Sequence, residues 1–211
     1  MRLSPGAFNA FLDGIGQLFT WRQAFACPCI NPHSGAAKPN CPLCLGKGRQ
    51  WAAGLDGTAG VPNTNPKRVF AQFGQYEPGD AMISVGSDSP LYAISQFDRV
   101  LSKNSSQQFS MTLVRGQNDK LYWSSIKSVT RVFWLDPTGT TVIGGGIPTV
   151  NPDGSLSWSS SAPPAGTAYS ITGLKFDEWY CFNDLPANRP EHSGAALPRR
   201  VHLRRFDLYG R

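Results

Sequence analysis

The sequence predicts a mainly β protein, an antiparallel β-sandwich or barrel with an N-terminal amphipathic helix and a small four-cysteine knuckle. From Arg68 onward, short segments rich in β-branched and aromatic residues follow one another, among them RVFAQF (68–73), SVTRVFWLD and AYSITGLKF. Turn sequences such as DPTG, NPDG and APPAG separate them at intervals of about 8 to 12 residues, which is typical of antiparallel folds. The chain has 211 residues, enough for one full domain, or for one domain with small attachments.

Residues 1–25 are predicted to form a helical arm. Ser4 and Pro5 suit the N-cap and the first helical position. Gly14 and Gly16 weaken the helix, so we expect it to need a surface to pack against. The apolar residues that recur at the three-and-four spacing of one helical face are Phe8, Phe11, Leu12, Ile15, Leu18 and Phe19.

Four further segments follow the arm. We predict a cysteine knuckle over residues 26–51, called the knuckle below, and a Gly-, Asn- and Pro-rich linker over 52–66. A β domain is expected over 67–189, and a basic arm or edge strand over 190–211, where Val201 and Leu203 alternate with polar residues.

Two smaller features of the β domain carry predictions of their own. The sequence NPDGSLSW predicts a hairpin in which Asp153 and Gly154 make the turn and Leu156 and Trp158 face one side. Cys181, in EWYCFN, is expected to be a small buried side chain in a strand, with no functional role.

The four clustered cysteines have the spacing of a metal site. One residue separates Cys27 from Cys29, two separate Cys41 from Cys44, and eleven lie between the pairs. Two close pairs joined by a loop are what a tetrahedral zinc site requires, and four protein ligands leave no open position for a catalytic water. The glycines of CPLCLGKG let the backbone turn under the sulfurs and direct amide protons at them. The sequence therefore predicts a structural zinc ion.

Other interpretations of the cysteines stay open. The C-x-C pair is less usual than C-x-x-C, so His33 is an alternative ligand in place of one cysteine. The cysteines could also be reduced, or paired in disulfides, whereas no thioredoxin-like βαβ pattern supports a redox role. Four thiolates around Zn²⁺ leave a charge of minus two, which Lys38, Lys47 and Arg49 are placed to compensate.

The positive charge of the chain is concentrated at its C-terminal end. The net charge is +6, and charged residues make up only 16% of the chain, against about 25% in ordinary soluble domains. The tail arginines could contact DNA phosphates or an acidic protein groove, while a solvated edge strand explains them equally well. The predicted partner-binding residues are Arg199, Arg200, Arg204 and Arg205.

The sequence contains none of the common catalytic motifs. It has no G-x-S-x-G or H-E-x-x-H, and the glycines at 144–146 lack the Lys and Ser/Thr of a phosphate-binding loop. We therefore expect a protein that is not an enzyme.

No apolar run approaches the about 20 residues needed to cross a bilayer, and Pro5 and Asp13 interrupt any signal core. We expect neither secretion nor membrane association.

The sequence combines five further motifs: CPC, CPLCLGKGRQW, SVTRVFWLDPTGTTVIGG, DGSLSWSSSAPPAGTAYSITG and LPRRVHLRRFDL. Together they resemble virion structural proteins of tailed bacteriophages, from the neck and collar that join the portal to the tail, and the resemblance covers residues 26–208. It implies a ring-forming subunit that is made in the host cytoplasm and resides in the virion neck. Its implied partners are further copies and other neck, portal or tail proteins, with DNA passing nearby but not bound sequence-specifically.

The sequence is compatible with three functions. A structural neck subunit is favoured, because charge is sparse and the aromatic residues lie in predicted strands. The alternative is a zinc-knuckle module that binds nucleic acid through the knuckle and the basic tail. An enzyme that cleaves polysaccharide or peptide is the third, for which no carboxylate pair or nucleophile stands out.

Overall fold

Strands dominate the structure, and the prediction of a mainly β antiparallel fold with one N-terminal helix is confirmed. The computed structural model describes residues 4–61, 79–117, 119–123, 125–184, 191–192 and 194–209. The single α-helix there is α1, Pro5–Ile15, and two short 3-10 helices span Pro90–Ala93 and Phe206–Leu208. The strands are β1 Gln17–Arg22, β2 Ala24–Ala26, β3 Arg49–Trp51, β4 Leu55–Ala59, β5 Ala81–Val85, β6 Arg99–Val114, β7 Ile126–Leu135, β8 Val142–Gly144, β9 Thr149–Val150, β10 Leu156–Ser157, β11 Ala168–Asp184, β12 Glu191–His192, β13 Ala195–Ala196 and β14 Arg199–Arg205.

Helix α1 begins as the sequence predicts. The Ser4 hydroxyl accepts a hydrogen bond from the backbone N–H of Ala7, which caps the first turn. Leu12 is buried and packs on Gly60, where a Cβ would lie 2.8 Å from the Leu12 methyl. The predicted helical face continues to Leu18 and Phe19, but both lie in β1, so the helix is shorter than the apolar pattern.

The chain divides into two units. The first contains residues 1–104 and 178–211, and its strands follow the order β4-β1-β6-β11-β14-β5. Gly60 and Ser84 also exchange two backbone hydrogen bonds at 2.8 Å, although the described strands do not close into a barrel. The buried core of this unit consists of Phe19, Trp21, Ala59, Ile83, Val85, Leu91, Ile94, Val100, Cys181, Val201 and Leu203.

Two segments of this unit differ from their predicted descriptions. The predicted linker, 52–66, contains β4, which pairs with β1 although LDGTA has no strand periodicity of its own. Strand β14 pairs with β11 on one side and β5 on the other, so it is an interior strand rather than an edge strand. The end of the linker and the predicted strand at 68–73 lie outside the described residues.

The second unit is residues 105–177, which include β7 to β10 and parts of the long strands β6 and β11. Strand β7 pairs with β11 and with β8. The predicted NPDG hairpin is present between β9 and β10, with Gly154 at φ +85° in the turn and Leu156 buried. The buried core consists of Phe109, Leu113, Leu121, Val132, Trp134, Leu156, Tyr169 and Ile171.

Candidate metal centre

The structure brings the four knuckle cysteines together. Their Sγ atoms all lie within 4.8 Å of one another, with Cys27 and Cys41 at 3.8 Å and Cys29 and Cys44 at 3.5 Å. A tetrahedral ZnS₄ site with bonds of about 2.3 Å has sulfur–sulfur separations of about 3.8 Å. The four side chains therefore have the spacing that a metal ion of this size requires.

A short hairpin and the turns within the knuckle set this spacing. Strands β2 and β3 pair through Ala26 and Arg49, which places both ends of the cysteine segment side by side. The backbone N–H of Cys27 donates to the Gly48 carbonyl at 2.9 Å, and the N–H of Gly48 donates to the Cys44 sulfur at 3.2 Å. The predicted amide contact from this glycine-rich turn is thus present, and Gly48 makes it at φ +70°.

The thiols of the centre influence one another's ionisation. Backbone N–H groups of Cys44 and Leu43 stabilise the Cys41 thiolate and lower its pKa to about 6. At Cys29 a backbone hydrogen bond from Lys38 acts in the same direction, but burial and the neighbouring thiols outweigh it and raise the pKa to about 12. Because the pKa of Cys29 is raised to about 12, full ionisation of this cluster at neutral pH requires a bound metal.

The alternatives left open by the sequence have structural answers. All five cysteines of the chain are free thiols, so no disulfide crosses the knuckle. His33 is exposed and does not belong to the cluster, and its backbone N–H donates to the Asn31 side chain in a local turn. Cys181 lies fully buried in β11, as predicted, and does not belong to the group of four ligand candidates.

The basic residues of the knuckle differ in their environments. Lys38 is exposed. Lys47 is half-buried with its Nζ 5.2 Å from the ring centroid of Phe206, and burial lowers its pKa. Arg49 lies over the ring of Phe97 at 4.3 Å. Two of the three proposed charge-compensating groups therefore also tie the knuckle to aromatic side chains of the first unit.

Those aromatic side chains form a cluster that the sequence analysis did not identify. The Trp51 ring meets Phe206 at 5.4 Å and Tyr209 at 5.9 Å, and its indole N–H donates to the Phe97 carbonyl at 3.1 Å. The Arg99 guanidinium lies 4.0 Å from the Phe206 centroid. These residues come from the knuckle, β6 and the C-terminal turn, so no local spacing in the sequence could reveal their contact.

The predicted partner-binding arginines mainly contact other residues of this chain. Arg199 donates to the backbone carbonyls of Tyr92 and Ile94, at 3.1 and 2.6 Å. Arg204 contacts the buried Asp80 carboxylate at 3.3 Å. Arg205 pairs with Asp207, and Arg200 is the exposed member of the four. Their role in binding a partner stays a prediction.

Comparison with known proteins identifies no family, because no family model and no curated protein matches the chain. No helix in the described part of the chain is long and apolar enough to span a membrane. The function is therefore argued from the cysteine centre, the surfaces around it and the sequence resemblance described above.

Proposed function

We propose that this chain is a non-enzymatic structural subunit of the neck or collar of a tailed bacteriophage, in which its copies form a ring between the portal and the tail. The four-cysteine cluster is the observation that carries the structural part of the proposal. The resemblance of residues 26–208 to neck proteins supports the location in the virion.

The proposed metal is zinc, held by Cys27, Cys29, Cys41 and Cys44. Four thiolates in a tetrahedral arrangement suit Zn²⁺ and leave no coordination position for a substrate or a water. Such a closed site contributes folding energy rather than catalysis. Its place between β2 and β3 supports a role in fixing the knuckle to the rest of the first unit through Trp51.

The apolar face of α1 supports a role in assembly. Phe8, Phe11 and Ile15 are about half exposed, although they share this face with Leu12, which is buried. Exposed apolar side chains grouped on one helix face mark surfaces that another protein covers. A ring requires contacts between unlike surfaces of neighbouring copies, and a helical arm of this kind can provide one of them.

The nucleic-acid-binding alternative is less well supported. The Arg199 guanidinium donates to two backbone carbonyls, and the Arg204 guanidinium contacts Asp80. The two side chains therefore do not form a row that could bind phosphates. The proposed subunit therefore directs its tail towards its own sheet and towards protein neighbours. Strong, salt-sensitive binding of DNA by the isolated chain would favour the alternative instead.

Native mass spectrometry of the purified chain, with and without a strong chelator, tests the proposal. We expect a ring of many copies, each with one zinc ion, and loss of the ring or of the fold when zinc is removed. A metal-free monomer that stays folded would contradict both the metal and the assembly role.

A further inference from the structure

We propose that Leu43 and Leu45, on either side of Cys44, form a docking site for a protein partner whose apolar pocket is bordered by carboxylates. This inference rests on the proposed function, because it names a contact that a structural subunit would make with a neighbour. It assigns a role to a part of the knuckle that metal binding alone does not explain.

Both leucines are exposed although the cysteines between and beside them are buried. Leu43 is 66% exposed and Leu45 is 74% exposed, whereas Cys41 and Cys44 are each 4% exposed. A leucine that is exposed on a small metal-binding loop gains no hydrophobic stabilisation unless another surface covers it. Two of them within three residues make a compact apolar projection.

The backbone of Leu45 is a second observation that points to a contact. Its φ is +50°, in the left-handed region, which Gly and Asn adopt at much lower cost than a bulky residue. Folding therefore favours a different residue here, both for conformation and for solubility. A leucine that is unfavourable in both respects is explained if its side chain is needed for binding.

The projection is held rigidly. The N–H of Leu45 donates to the Cys41 carbonyl at 2.9 Å, and the N–H of Lys47 donates to the Cys44 carbonyl at 3.0 Å. These bonds, together with a metal on the two cysteines, fix both leucines before a partner arrives. A preorganised contact costs less conformational entropy on binding than a mobile one.

Charge selects the kind of partner. No Asp or Glu occurs between Asp13 and Asp56, while this stretch contains Arg22, Lys38, Lys47 and Arg49. Lys38, in the same loop as the leucines, is exposed. Carboxylates around the partner's pocket would complement the exposed Lys38 and this acid-free stretch, and would exclude other partners. Aliphatic side chains do not stack on bases, and of the base edges they contact only the thymine methyl group, so a protein fits this site better than a nucleic acid.

The test uses the full-length, zinc-loaded chain with ¹³C-labelled leucine methyl groups. The probes are two synthetic amphipathic helical peptides with the same Leu and Phe anchors, one with Glu and one with Lys at all other positions, and a 20-nucleotide single-stranded DNA. We expect only the Glu peptide to shift the methyl resonances of Leu43 and Leu45. Leu45→Asn, which suits the left-handed backbone, should weaken this binding at least tenfold while zinc content stays the same.

Leu43→Ser is the second test variant, and Leu135→Asn is the matched control, because Leu135 is 52% exposed in the other unit. Equal binding of the Lys peptide, unchanged binding by Leu45→Asn, no binding of either peptide, or a response to DNA alone would overturn the inference. Concentration-dependent self-association that Leu45→Asn abolishes would instead make a second copy the occupant. A chain that is monomeric by native mass spectrometry counts against the proposed ring and is a separate outcome.

Discussion

The Nε of Arg99 donates a hydrogen bond to the Glu178 carboxylate at 2.8 Å, and the two side chains are only 10% and 11% exposed. Burial lowers the pKa of Arg99, and the Glu178 charge opposes that effect. The Arg99 guanidinium lies against the Phe206 ring, so the pair supports the aromatic cluster that the knuckle contacts.

Glu178→Gln is expected to lower the free energy of unfolding by about 3 to 5 kcal/mol, because it leaves the Arg99 charge buried without its partner. Urea denaturation measures this loss. The control is Asp56→Asn, which breaks the solvent-exposed Lys103–Asp56 pair and should cost much less. Equal losses for the two variants would contradict the structural role of the buried pair.

Replacing one ligand should strongly weaken metal binding. Loss of residues that merely orient metal ligands already weakens affinity by about 10- to 100-fold, so Cys44→Ser should weaken it by about 100-fold or more. Elemental analysis and competition with a chromophoric chelator give the stoichiometry and the affinity. Cys181→Ala, which removes a buried thiol outside the centre, should keep one metal per chain. A Cys44→Ser variant with unchanged affinity would rule out the four-cysteine centre.

Metal affinity should depend more steeply on pH below about pH 6 than above it. The pKa of Cys41 is lowered to about 6, so this thiol is already ionised above pH 6 when the metal binds. Below pH 6 the metal must displace one additional proton, and affinity should fall by an additional factor of about ten per pH unit. Chelator competition from pH 5 to pH 8 measures the slope. A slope that does not change near pH 6 would be inconsistent with an ionised Cys41.

The aromatic cluster should slow metal release. Phe206→Ala removes the ring under Lys47 and Arg99, and because the ring is partly exposed we expect a loss of about 2 kcal/mol, below the about 3 to 5 of a fully buried Phe. Transfer of the metal to excess chelator should become several-fold faster. Phe133→Ala, at a partly buried ring in the other unit, is the control. Identical transfer rates for both variants would show that the cluster does not stabilise the knuckle.

Local chemistry explains which parts of the fold could be predicted from the sequence. The Ser4 cap, the NPDG turn and the four-cysteine spacing each depend on residues close together in the chain. Strand β4 could not be predicted, because LDGTA acquires its conformation by pairing with β1. The tail alternation correctly indicated a strand, but its interior position depends on a second pairing with β5, which is distant in sequence.

The same distinction applies to the candidate site. The ligands of the centre lie within 18 residues of one another, so spacing alone could identify them. Trp51 and Phe206, which meet at 5.4 Å, are separated by most of the chain and carry no local signal. The exposure of Leu45 and its left-handed backbone also depend on the folded loop, although the absence of acidic residues around it is visible in the sequence.

X-ray absorption spectroscopy of the purified chain at the zinc and iron edges, together with elemental analysis, identifies the metal and its ligands. We expect one zinc per chain with four sulfur neighbours at about 2.3 Å and no nitrogen or oxygen in the first coordination sphere. Fewer than four sulfurs, a histidine nitrogen, or iron in place of zinc would contradict the proposed four-cysteine zinc centre.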